Sequence, residues 1–165
     1  MIFIEDKKPE LNIVLVKPRI AGNVGTISRL CYNLNYNLHL IGPHFLDFSS
    51  KKIMHAGLDY WPKLSPIFHE NEQEFLRFVK GCNSQDYEAS SLFFASTKAE
   101  LDYKKASYPK HCFLIFGSES FGIEDSPMLK ALQNEQNTIC IPQIKEGRSL
   151  NLALAVAIIA TRASA

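Results

Sequence analysis

No apolar run in this chain approaches the roughly 18–20 residues that a membrane-spanning helix needs. The aliphatic segment near the C-terminus is too short, and Arg162 follows it. The opening MIFIEDKKPE carries acidic residues and no apolar core, so it does not read as a secretory signal. Cysteines occur only at positions 31, 82, 112 and 140, with no CxxC pair and no Cys/His cluster at zinc-ligand spacing. Three of the four lie in apolar surroundings, where reduced thiols are expected. These absences together suggest a cytoplasmic chain with no membrane partner and no metal. The histidines at 39, 44, 55, 69 and 111 show no ligand spacing either, and read as surface or partly buried packing. Excess charge is missing too: a formal net charge of +1 neither argues for a polyanionic partner nor excludes one.

What remains is an ordinary globular composition, 46% hydrophobic and 21% charged, on 165 residues, enough for one domain with a real core. No internal repeat or linker divides residues 1–165. Short apolar runs at Asn12–Val16, Leu38–Ile41, Leu92–Ala95, Cys112–Phe116 and Thr138–Ile141 read as buried strands. Between them, Val24, Ile27, Leu30, Cys31 and Leu34 form a helical stripe. Phe75, Leu76, Phe78 and Val79 form a second, introduced by acidic residues. A third helix is expected from about Ser126, with Pro127 at its first position and Met128, Leu129 and Leu132 facing inward. This alternation predicts an α/β fold, a mainly parallel sheet covered by helices on both faces.

In such sheets, ligands gather beyond the carboxyl ends of the strands. That rule selects PRIAGNVG, STKAE, GSESFG and PQIKEGRS, the loops after four of the expected strands. The first is not GxGxxG, so the dinucleotide fingerprint fails. In the third, Gly117 and Gly122 flank four residues, one too many for the GxSxG nucleophile elbow of a serine hydrolase. Thr26, Arg29 and Asn33 share a polar helix face, either simply solvated or turned to a substrate phosphate that Arg29 could clamp. Arg148, Ser149 and Asn151 stand at the mouth of an aliphatic helix expected to be buried. Ser149 suits an N-cap. The other two polar groups call for a ligand at the helix amides. Met54, Leu58, Tyr60 and Trp61 form an aromatic-aliphatic patch, read first as core and second as a lid or subunit contact.

Three segments in order carry a resemblance: N-x-G-x-x-x-R (Asn23, Gly25, Arg29), G-x-E-x-x-G (Gly117, Glu119, Gly122) and IP…SLN (Ile141, Pro142, Ser149, Leu150, Asn151). Together they resemble the SPOUT class of RNA ribose methyltransferases. AGLDYW at Ala56–Trp61 is similar to the branch that methylates the 2′-oxygen of the tRNA wobble cytidine or uridine. The turn reads GSES where this branch often has GPET, so another tRNA or ribosomal ribose stays open as an alternative. A non-catalytic RNA-binding module of the same fold stays open as well.

The resemblance implies a C-terminal trefoil knot, a homodimer, tRNA as partner and S-adenosylmethionine as cofactor. It places the cofactor against the loop ends at Ala95, Gly117, Ile141 and Ser149, with Glu119 beside it and Leu150 and Asn151 closing the pocket. Asn23 and Arg29 become the catalytic residues, Arg29 meeting the ribose from the same or the other subunit. Family accounts make this arginine the base. An arginine gives up its proton too reluctantly for that, so Arg29 is read here as positioning the ribose and a phosphate.

Overall fold

The computed structural model describes residues 11–48, 51, 61–82 and 91–165. Seven strands form one sheet: β1 (Asn12–Val16), β2 (Asn37–Ile41), β3 (Ile67–His69), β4 (Leu92–Ala95), β5 (Leu101–Asp102), β6 (Phe113–Phe116) and β7 (Thr138–Cys140). Their order is β3-β2-β1-β6-β4-β7-β5, and every pairing is parallel. The five expected strands are all present, within a residue at each end. The two that sequence did not reveal, β3 and β5, are the edge strands. They are three and two residues long, too short to show a period.

β1 lies near the middle, and all five of its residues are buried, which explains its unbroken NIVLV. Alternation splits its side chains between two cores. Ile13 and Leu15 join Val24, Ile27, Cys31, Val156 and Ile159 of helices α1 (Ala21–Leu34) and α5 (Leu152–Ala163). Val14 and Val16 join Phe75, Val79 and Leu129 of helices α3 (Glu72–Cys82) and α4 (Pro127–Lys130) on the opposite face. A short helix, α2 (Trp61–Leu64), precedes β3. Helices therefore cover both faces, as expected.

The α1 stripe holds: Val24, Ile27 and Cys31 are buried, with Leu30 and Leu34 packed at the margin. Asn35 ends this helix in the left-handed conformation (φ 55°). The expectation for α4 needs correcting. The helix has a single turn, only Leu129 points inward, and Met128 and Leu132 are exposed. One turn offers one inward position, so three were too many. The patch around AGLDYW lies mostly outside the described residues. Trp61 is described, and it stacks on Phe48.

All four cysteines are free, and Cys31 and Cys112 are fully buried. Burial pushes the Cys112 thiol up to about 12 and the Cys31 thiol upward as well, so neither supplies a thiolate near neutrality. Among the described residues no helix is long and apolar enough to cross a membrane, and no group of three or more potential ligands could hold a metal ion.

Candidate active site

Because the strands run parallel, the loops after β1, β4, β6 and β7 open on one edge of the sheet. β6 delivers Phe116 and then turns sharply. Ser118 and Gly122 exchange backbone hydrogen bonds of 3.0 and 2.8 Å, closing a narrow loop with Glu119 near its tip. The turn demands its glycines. A Cβ on Gly117 would lie 2.0 Å from the Gly122 carbonyl carbon, and Gly122 itself has φ +61°.

Glu119 reaches the start of α1. No side chain of its own caps that helix. Instead the Glu119 carboxylate accepts from the backbone N–H groups of Arg19 (2.8 Å) and Ile20 (3.1 Å), and from Asn23 Nδ2 (3.1 Å). A negative group at the positive end of a helix is favourable, and it satisfies the amides of the N-cap Ile20 and of Arg19 just before it.

The far side of Asn23 meets the last helix, where Asn151 Nδ2 donates to Asn23 Oδ1 at 2.9 Å. Asn151 Oδ1 in turn accepts from Ala153 N (2.9 Å) and Leu154 N (3.4 Å), capping α5. One carboxylate and two amides thus tie together the β6 turn and two helix N-termini. Each of the three sequence motifs contributes one member.

Beside this chain lies a cleft of about 460 Å³, lined by the loops after β4 and β7, including Thr97, Ile141, Gln143, Lys145 and Ser149. That volume suits a small-molecule ligand. Ala95 ends β4 two residues before Thr97 of the lining, and Leu150 sits 37% exposed between Ser149 and the α5 cap.

Two expectations are overturned here. The α5 cap is Asn151, two residues later than Ser149. The entrance to that helix is open to water rather than buried: residues 142–151 are all exposed, and α5 buries only the face of Ala153, Val156, Ile159 and Ala160. The aliphatic run had suggested burial on every side, whereas Leu154 is 57% exposed.

Asn23 is buried at the centre of the network. Arg29 is not brought to it. Six residues further along α1, it lies on the exposed face with Thr26 and Asn33, about a third of a turn around the helix from Asn23.

Residues 10–161 match the SpoU rRNA Methylase family. The chain belongs to that family. Among relatives, it is 36% identical over 149 residues to the tRNA (cytidine(34)-2′-O)-methyltransferase of Escherichia coli K12, covering 90% of this chain and 88% of the other. The Yersinia pestis protein of the same name is 37% identical over 149 residues, 90% of this chain and 89% of that one.

A structure solved in work on the 2-OH methylation of C/U34 on tRNA superposes with TM-score 0.80 at 32% identity, covering 93% of both chains. An AdoMet-bound rRNA methyltransferase from Sinorhizobium meliloti has TM-score 0.73 at 25% identity, covering 97% of this chain and 57% of that one. These SpoU relatives agree with the resemblance read from the three motifs.

Sequence reasoning missed some members of this edge. Lys17 sits at φ 49° and donates Nζ to the Asp125 carbonyl at 2.5 Å, fastening the β1 loop to the segment after the glycine turn. Thr97 and Lys145 line the cleft; the loops that carry them were selected from sequence, but not these residues. In sequence Lys17 stood out only as one of several short basic groups, paired with Arg19 one residue after a strand.

Proposed function

We propose that this SpoU-family protein transfers a methyl group from S-adenosylmethionine to the ribose 2′-oxygen of the tRNA wobble nucleotide, position 34, cytidine or uridine. The observation that carries the reading is the Glu119–Asn23–Asn151 chain beside the cleft, on a fold shared across almost the whole length of relatives bearing that activity in their names. The cleft fits the cofactor: it has the right size, apolar side chains from Ile141, Pro142 and Ile144, and polar groups at Thr97, Gln143 and Ser149. Ile141 and Ser149 of the cleft, with Ala95, Gly117 and Leu150 from the neighbouring loop ends, would hold it, and Glu119 and Asn151 keep those loops in place. When bound, S-adenosylmethionine supplies an electrophilic methyl group on a sulfonium sulfur.

The protein's part is orientation and proton handling. Fixing the ribose oxygen in line with the methyl group removes most of the entropic cost of a bimolecular step. The hydroxyl proton must leave as the oxygen–carbon bond forms. Arg29 holds the ribose and its phosphate, and that phosphate or a water takes the proton. Because Arg29 faces away from its own Asn23, it acts across a homodimer in this reading, at the site of the partner subunit.

The outward face of α5, with Leu154 more than half exposed, supports such a dimer. The knotted C-terminal segment and the cytoplasmic setting belong to the same proposal, as what the resemblance implies. Light scattering at micromolar concentration then reads a dimer, and a monomer contradicts it. The test of function is transfer of label from S-adenosylmethionine to bulk tRNA from a strain lacking the gene. Arg29→Lys lowers turnover at least tenfold on this account. Binding of S-adenosylhomocysteine without transfer to any RNA favours the non-catalytic module.

A further inference from the structure

The sheet edge has a second feature that the transfer chemistry does not use. β2, β1 and β6 are neighbours, and the loops after them bring Phe45, Arg19 and Phe121 together. The Arg19 guanidinium carbon lies 4.0 Å from the centroid of the Phe45 ring and 5.1 Å from that of Phe121. Both rings are more than half exposed, at 52% and 54%. Arg19 Nε is buried with no hydrogen-bond partner among the described residues, and the two rings flank its guanidinium group. Two large apolar rings kept in water around a cation do not add to either core.

The location is informative. The cleft belongs to the loops after β4 and β7, on the other side of the Glu119–Asn23–Asn151 chain. Arg19 donates its own backbone N–H to Glu119, which fastens the cluster to the site; in the strand order the cluster's β2, β1 and β6 lie to one side and the cleft's β4 and β7 to the other. Unstacked bases of single-stranded RNA loops are recognised by aromatic rings and by arginine planes, whose charge also attracts the adjoining phosphate.

We propose that Phe45, Arg19 and Phe121 form a stacking platform for a nucleobase flanking the methylated nucleotide in a single-stranded RNA loop. This rests on the tRNA reading above. The platform positions the substrate, and no bond is made or broken on it.

The test uses the full-length protein in steady-state methyl transfer to tRNA, with Phe45→Leu, Phe121→Leu and the double variant beside Phe45→Trp and Phe121→Trp. The double leucine variant is expected to raise KM for tRNA about five- to hundredfold, with kcat within about twofold. S-adenosylhomocysteine affinity and Tm stay at wild-type values, and the tryptophan variants keep wild-type KM. An active wild-type protein whose leucine variants keep its KM, or whose leucine and tryptophan variants behave alike, overturns the platform alone. A wild-type protein that binds S-adenosylhomocysteine but methylates no tRNA overturns the functional reading, and the platform falls with it.

Discussion

Asn23 and Asn151, 128 positions apart in sequence, meet side chain to side chain at 2.9 Å, and the amide of Asn23 is used at both ends. Its oxygen accepts from Asn151 while its nitrogen donates to Glu119, so the chain has a fixed polarity. Asn23→Asp keeps the first bond and sets a second carboxylate against Glu119. We expect a loss of about 1–3 kcal/mol in urea denaturation, with at least a tenfold fall in methyl transfer. Glu119→Gln added to it supplies a new donor and recovers part of the loss, measured as the coupling in a double-mutant cycle.

Two glycine substitutions should separate sharply. Gly117→Ala drives a Cβ into the backbone of Gly122, so the turn must open and Glu119 leaves the α1 terminus. S-adenosylhomocysteine binding by calorimetry is then lost. Gly22→Ala meets nothing within 4 Å, and as a helical position it gains stability by about 0.5–1 kcal/mol. Equal effects from the two would contradict the account of the turn.

The cap assignment gives a third contrast. Asn151→Ala removes the α5 cap and the bond to Asn23, and should cost about 1–2 kcal/mol in chemical denaturation. Ser149→Ala, exposed and outside the cap, should leave stability within about 0.5 kcal/mol while weakening cofactor affinity.

These contrasts show where sequence was informative. β1, β4 and β6 were legible because central parallel strands are buried on both faces and so read as nearly unbroken apolar runs, Asn12 alone being polar. Asn23, Glu119 and Asn151 were legible because three spaced motifs carried them. Their mutual contact was not: it depends on strand order, which places β6 beside β1. The shift of the cap from Ser149 to Asn151 was hidden because both residue types cap well. Phe45 and Phe121 lie 76 positions apart and carry no motif, and only the fold sets both against Arg19.

A buried histidine pair predicts acid sensitivity. His39 Nε2 lies 3.3 Å from Asn12 Oδ1, and its Nδ1 lies 3.1 Å from His69 Nε2. Asn12 Oδ1 can only accept, so His39 donates to it and accepts from His69, both rings neutral. Phe75, Phe78 and Phe113 surround His39. Burial, with His69 adding to it, holds His39 down at about 3, and burial lowers His69 too. With the folded value below the unfolded 6.5, the unfolded chain takes up protons first as pH falls. Stability is therefore complete above about pH 6.5 and declines progressively toward pH 3. Urea midpoints between pH 7.5 and 4.5 check this, and His39→Gln should flatten the decline.

The most direct test of the central claim is mass spectrometry of tRNA methylated by the purified protein, mapping the nucleotide and atom that receive the group. The account predicts a new methyl on the ribose 2′-oxygen at position 34, absent when S-adenosylmethionine is withheld. A methyl on a base, or on no tRNA at all, would contradict it.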